Sequence, residues 1–311
     1  MVNNNAAAVM LVLASLARGR EVIVSRGELV EIGGSFRMPD VMALSGAIMR
    51  EVGTTNKTRI SDYRDAISSA TGLIMKVHRS NFSVVGFTDE VEIGELAALG
   101  REFGIPVFVD MGSGVPFDLA AHGISGEWTV PSCLQQGSDV LCFSGDKVLG
   151  GPQAGIILGR ADLVETMARH PLHRAVRVDK FTIASLGETL KLLAQGKTAS
   201  IPVLRMITEP DIEVKKRARK LLRLIRARGA RVVPTRAVIG GGSAPTKSFG
   251  SWGVLVQSPR AVEIHGLLRT CRPAVLCRIE GDSLIFDLKA VDGQELEVLA
   301  RTINEASGHG R

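Results

Sequence analysis

Short apolar runs, each stopped by glycine or a polar turn, alternate along the first half of the chain with stretches of helical spacing. Asn3, Asn4 and Asn5 stand as caps ahead of an apolar helix predicted from Ala6 to Ala17. Glu21 to Val24 reads as a strand, Glu28 to Arg37 as a glycine-rich connection, and Pro39 to Met49 as a helix. Ile48 to Gly53 is a short strand, Tyr63 to Ala70 a short helix, and Gly72 to His78 a buried strand. Val91, Leu96, Leu99 and Phe103 give Glu90 to Phe103 one apolar helical face, closed by Gly104. A strand from Ile105 then ends in Asp110 and a glycine turn, and two more apolar runs follow, Asp139 to Phe143 and Gly155 to Leu158. Strands alternating with helices predict a doubly wound, open parallel α/β domain.

From Ala161 to Ala194 the spacing is mostly helical, and near Pro202 the text changes. Thr208 to Asp211 resembles a helix N-cap with an acidic third position, ahead of a helix running to Arg228. Val214, Ala218, Leu221, Leu222 and Ile225 fall on one face of it; the other is dense in lysine and arginine and reads as solvated, with an RNA contact as the alternative. Val232 to Pro234, Gly253 to Val256, Val275 to Ile279 and Ser283 to Leu288 read as strands, with a helix at Gln294 to Ala306 and a glycine-rich loop at Gly240 to Ser243. The expected division is a large domain over 1–200 and a small α/β domain over 201–311.

Composition narrows the chemistry. The 311 residues suffice for a large core and a second domain. Aromatics make up only 4%, which argues against recognition of single strands by stacking, and the net charge of +6 suits an anionic substrate or an RNA partner. Four cysteines without CxxC spacing read as reduced structural thiols in a cytoplasmic protein. No histidine cluster suggests a metal site, and no run is long enough to span a bilayer.

Ligands of open parallel sheets gather at the carboxyl ends of the strands. His78, Asp110 and Lys147 all fall at such ends. Lys147 sits in the turn Ser144-Gly145-Asp146-Lys147 between two apolar runs, where poor solvation lowers an amine's pKa and frees it as a nucleophile for an aldehyde cofactor. The turn alone also admits a solvated surface lysine, and the basic stretch Arg169 to Lys180 also admits a solvated loop. A strand-end aspartate upstream of a strand-end lysine is the arrangement of fold-type I pyridoxal-phosphate enzymes, where the carboxylate keeps the ring nitrogen protonated.

Longer stretches are more specific. Val2 to Val9, Ser25 to Arg37, Glu51 to Thr58, Phe143 to Gly155, Arg174 to Lys180 and Ile239 to Ser243 resemble the bacterial selenocysteine synthases, the L-seryl-tRNA(Sec) selenium transferases. The resemblance implies an aspartate-aminotransferase-like fold and pyridoxal 5′-phosphate as cofactor. It makes Lys147 the Schiff-base lysine, Asp110 the partner of the ring nitrogen and Asp146 an active-site acid. It assigns Ser144, Asn4 and Asn5 to the cofactor phosphate, His78 to the cofactor ring, and Arg174 and Arg177 to selenophosphate. The implied reaction is a β-replacement turning seryl-tRNA(Sec) into selenocysteinyl-tRNA(Sec), in a homo-oligomer built as a ring of dimers. Family members carry a tRNA-binding domain and the opening of the large domain ahead of the triple asparagine, so the chain reads as truncated or mis-started. A related lyase or desulfurase acting on a free amino acid, or an inactive remnant, are the alternatives.

Overall fold

The computed structural model describes residues 1–32, 36–79, 81–240 and 247–308. Gly33 to Ser35 and Gly241 to Ser243, which belong to two of the family-like stretches, lie outside them. The chain divides into two compact units, Met1–Leu204 with Ile239–Lys247, and Arg205–Val238 with Ser248–Arg311. The segment around Gly240 therefore goes with the first unit and not with the C-terminal strands that flank it.

The first unit runs α1 (Asn5–Leu16), β1 (Glu21–Ser25), α2 (Met38–Ser45), β2 (Ile48–Val52), α3 (Ile60–Ala66), β3 (Thr71–Val77), α4 (Ile93–Phe103), β4 (Val107–Gly112), α5 (Val130–Gln135), β5 (Val140–Ser144) and β6 (Gly155–Gly159). Helices α6 (Ala161–Arg169), α7 (Pro171–Ala175) and α8 (Lys180–Ala194) follow. The sheet order is β2-β1-β3-β4-β5-β6, parallel except for β6, which pairs antiparallel with β5. The sheet is thus parallel-rich, as expected of a doubly wound domain, with one reversed edge strand. The loop between β5 and β6 is too short for a helical crossover, which takes about a dozen residues.

Both faces of the sheet are buried, and strand alternation sorts the side chains between them. Val22, Val24, Leu73, Met75 and Phe108 pack with α1, α2 and Met167 of α6. Ile23, Ile74 and Val107 point the other way, onto Tyr63, Leu96 and Leu99 of α3 and α4. Helix α1 is apolar on nearly every side because it is enclosed, lying over β5 and β6 between α2 and α6. Helix α2 stops earlier than its spacing suggests: Gly46 takes a left-handed φ of 78°, and the chain re-enters the sheet at Ile48.

One buried polar element is invisible to hydrophobic patterning. Lys76, 1% exposed on β3, donates from Nζ to Glu28 Oε1 at 2.7 Å, and the Val77 N–H donates to Glu28 Oε2 at 2.9 Å. Burial pushes the Glu28 carboxyl up, while Lys76 and the Val77 N–H pull it down. Among the described residues, only the half-exposed Glu90, 3.5 Å from Lys76, would remain as a counter-charge without Glu28. Glu28→Ala is therefore expected to destabilise the first unit by about 3 kcal/mol in urea unfolding. A loss below about 1 kcal/mol, the scale of an exposed pair, would show that this pair is not an obligatory one.

In the second unit a four-stranded antiparallel sheet (Arg231–Val238, Ser248–Gln257, Arg278–Glu280, Ser283–Asp287) packs against helices Asp211–Leu224, Ala261–Thr270 and Leu296–Ala306. Helix Asp211–Leu224 buries Val214, Ala218 and Leu221 as the spacing predicts. Its cap differs. Pro210, not Thr208, precedes the first turn, because the residue before a proline is driven out of the helical region. The strand expected from Val275 is limited to Arg278–Glu280, and the helix expected to reach Arg228 ends at Leu224.

Candidate functional site

The carboxyl edge of the large sheet gathers the chemistry. In register, Val77 pairs with Asp110 and Asp110 with Cys142, so the ends of β3, β4 and β5 lie side by side. Phe108 belongs to the α1 face, and alternation places Asp110 on that face, two residues on. Asp110 is 4% exposed. It accepts hydrogen bonds from Asn5 Nδ2 at 2.9 Å, from the Cys142 thiol at 3.6 Å and from the Gly112 N–H. Burial pushes its carboxyl up; Asn5, then the Lys147 charge, Cys142 and Gly112 oppose that.

Lys147 stands in the tight reversal between β5 and β6. Gly145 donates to Ala154 O and Gly151 to Gly145 O, both at 2.8 Å, and Gly150 donates to Lys147 O at 3.0 Å. The Val148 N–H reaches Ser113 O at 3.2 Å, tying the loop to the turn after Asp110. Gly150 has φ +76°, and a Cβ there would lie 2.5 Å from Ile201 Cγ2, so the loop needs glycine at that point. Burial lowers the Lys147 amine below its ordinary range, and the charges of Asp110 and Asp146 work against that. Lys147 is thus half-buried and within electrostatic reach of Asp110. It opens with exposed Asp146 onto a cavity of about 370 Å³, walled by Gly150, Gly151, Pro202 and Val203.

The asparagines at the start of α1 take separate roles. Asn4 caps the helix, its Oδ1 accepting from the Ala7 N–H at 2.8 Å. Asn5 reaches across to Asp110 instead. The helix start is clamped to the sheet through Val2, which exchanges backbone hydrogen bonds with Gly155; a Cβ on Gly155 would sit 2.1 Å from Asn4 O. Gly155 pairs with Ser144, and Ser144 shares the face of Val140 and Cys142, so the buried hydroxyl of Ser144 lies on the α1 side of the sheet. The Asn3 N–H donates to Val176 O at 2.9 Å, which brings the segment with Arg174 and Arg177 beside the helix start. Both arginines are exposed.

His78 lies one step away. Its backbone N–H donates to Asp110 O at 2.8 Å, but its ring lies in a second cavity of about 170 Å³ with Trp128, Glu127, Arg79, Glu90 and Lys247. Its ring and that of Trp128 are 4.7 Å apart between centroids, and Nε2 is 3.8 Å from Glu127 Oε2. Burial lowers its pKa to about 4, against the pull of Glu90, so the imidazole is neutral at pH 7. The residues lining this cavity do not overlap those lining the Lys147 cavity.

Three participants carry little signal in the sequence. Cys142 reads as structural in the sequence, yet its thiol faces Asp110; its place two residues before Ser144 on the neighbouring strand is the signal that marks it. Trp128 and Glu127 lie in a loop and carry no periodic signal. Among the described residues no three His, Cys, Asp or Glu side chains converge as metal ligands, and no helix is long and apolar enough to cross a membrane.

Residues 1–292 match the family model of L-seryl-tRNA selenium transferase. The L-seryl-tRNA(Sec) selenium transferase of Carboxydothermus hydrogenoformans is 50% identical over 98% of this chain and 67% of its own length. The Aquifex aeolicus enzyme of the same name is 46% identical over 98% of this chain and 69% of its own. Among solved structures, a D-glucosaminate-6-phosphate ammonia-lyase superposes with a TM-score of 0.69 at 18% identity, covering 99% of this chain and 81% of the lyase. That likeness establishes a common fold.

Proposed function

The chain belongs to the L-seryl-tRNA selenium transferase family, and from that premise we propose that it converts seryl-tRNA(Sec) to selenocysteinyl-tRNA(Sec) with pyridoxal 5′-phosphate as cofactor and selenophosphate as selenium donor. The observation that carries the reading is the pairing of a buried carboxylate, Asp110, with the half-buried amine of Lys147 at neighbouring strand ends.

The residues fit this cofactor. Asn5 Oδ1 beside Asp110 and Ser113 Oγ beside the Lys147 loop are buried without hydrogen-bond partners among the described residues, as polar groups facing a bound molecule would be. Asp110 would partner the ring nitrogen, Lys147 Nζ would hold the aldehyde carbon, and the free N–H groups at the start of α1 with Ser144 Oγ would take the phosphate. When bound, the cofactor draws electrons from the substrate Cα, the chemistry a β-replacement needs.

The chain's own residues supply the rest. The lowered pKa of Lys147 keeps a fraction of its amine neutral, so Nζ can take the proton from the seryl Cα and carry it. Asp146, at the open side of the cavity, steadies the ammonium that this leaves. Asp110 holds its carboxyl group out of water, where any charge it carries acts at low dielectric. Arg174 and Arg177 offer two guanidinium forks to the anionic selenium donor.

The first unit is the cofactor-binding domain in this reading. The protein works in the cytoplasm as a homo-oligomer. The likeness to an ammonia-lyase concerns the fold alone and gives no support to a free amino acid as substrate.

The test is to incubate the purified protein with pyridoxal phosphate, seryl-tRNA(Sec) and selenophosphate and to analyse the aminoacyl product. Selenocysteinyl-tRNA is expected; turnover of free serine or cysteine in its place would overturn the assignment. Arg174→Ala with Arg177→Ala is expected to raise the KM for selenophosphate about tenfold or more while kcat changes less, as loss of charge-assisted hydrogen bonds to a bound anion predicts. An unchanged KM would remove the pair from the donor site.

A further inference from the structure

We propose that Asn5 is a positioning residue for Asp110: its side-chain amide fixes that carboxylate on the sheet, so the first turn of α1 serves the site through Asp110. The inference rests on the cofactor reading above, but the contact that carries it lies wholly within this chain.

Two adjacent asparagines at a helix start would ordinarily compete for the same work. Here Asn4 alone caps the helix, and Asn5, in the first turn, is left to reach a partner 105 positions later in the chain. That partner is nearly inaccessible to water, and a buried carboxylate must find donors within the protein. The Cys142 thiol, at 3.6 Å, is a weak donor, and the Gly112 N–H lies beside Asp110 on its own strand. The Asn5 amide, at 2.9 Å, is the strong side-chain donor of the set, and it outranks Lys147 among the influences that favour the ionised form. An amide does not titrate, so it remains a donor at every pH.

The placement is rigid. Ala7, Ala8, Val9, Leu11, Val12 and Leu13 bury α1 in the core and leave Asn5 little freedom to move. The first turn of α1 carries no acidic residue of its own, and the Asn5 contact brings the Asp110 carboxylate to this positive helix end. The remaining Asn5 acceptor, Oδ1, is the buried unpartnered atom noted above. A single amide thus fixes a carboxylate with one end and presents an acceptor with the other.

The test uses Asn5→Ala and Asn5→Ser, the latter a residue well tolerated at a helix start. In cofactor-free protein labelled with 13C at aspartate carboxyls, Asp110 is identified by its absence in Asp110→Asn and titrated by NMR. Both Asn5 variants are expected to raise its midpoint, because a donor to the ionised form is gone. An unmoved midpoint in the folded variants overturns the proposal whatever the cofactor does. With pyridoxal phosphate added, the dissociation constant is expected to rise about tenfold, the scale of one hydrogen bond to a charged group. Any pH-dependent change in the visible band should move to higher pH. In an Asp110→Asn background the Asn5 substitutions should have no further effect; an equal effect there would mean that Asn5 acts without Asp110. A wild-type protein with no visible band that Lys147→Ala removes would overturn the cofactor reading, while the NMR arm still decides the Asn5 contact. Thermal melts identify a variant that has lost its fold, and loss of fold in the serine variant as well as the alanine variant would assign Asn5 to stability and overturn the positioning role.

Discussion

Lys147→Ala is expected to abolish both the visible absorbance of protein reconstituted with pyridoxal phosphate and the formation of selenocysteinyl-tRNA. The loss should be at least on the order of 10²–10⁴-fold from the proton-transfer role alone, and larger because the same nitrogen holds the cofactor. The fold should survive. Lys147 is half-exposed, and the loop around it is held by the backbone hydrogen bonds of Gly145, Gly150, Gly151 and Val148. An unchanged thermal melt is therefore the control. The same geometry sets a pH dependence in the wild type. The amine lies below the ordinary lysine value of 10.5, burial outweighing the charges of Asp110 and Asp146. The rate at which apo-protein takes up the cofactor should rise with pH as Nζ loses its proton and level off below that value. A visible band that persists in the alanine variant would assign the aldehyde to another amine.

Asp110→Asn is the second large effect, and its direction on stability differs. Turnover should fall by about 10²–10³-fold, the scale of a preorganised electrostatic group removed from a water-excluded site. Stability should stay level or rise. The wild-type carboxylate is buried with its pKa pushed up by desolvation, which marks it as costly to keep ionised. Asparagine has nearly the same shape and no charge to keep out of water. Less activity with an equal or higher melting temperature is the signature of a residue kept for chemistry rather than for folding. Activity within twofold of wild type would remove Asp110 from the site.

These two residues are legible in the sequence because their signals are local. A buried strand that ends in an aspartate, and a small-residue turn holding one lysine between two apolar runs, can each be read from a few neighbouring residues. The burial of β3 is legible for the same reason, since an apolar run is a property of the strand itself. The remaining assignments depended on resemblance. Arg174 and Arg177 stand in a stretch whose charge pattern also suits a solvated loop, and their exposure alone does not separate the two.

What the chain order left open was who meets whom. Asn4 and Asn5 are the same residue type side by side, and their different duties arise because α1 lies across the sheet with the second of them facing β4. Cys142 becomes a neighbour of Asp110 only through the β4–β5 register. Lys76 finds Glu28 across 48 positions of sequence, and β6 reverses direction because its loop is too short to cross over. Periodicity and turn chemistry are written into adjacent residues, and the sequence by itself determined the alternating strands and helices, the lysine turn and the strand-end aspartate. Register, strand direction and the partner of a buried polar atom follow from packing distant segments together, and only the tertiary structure decided that Asn5 serves Asp110.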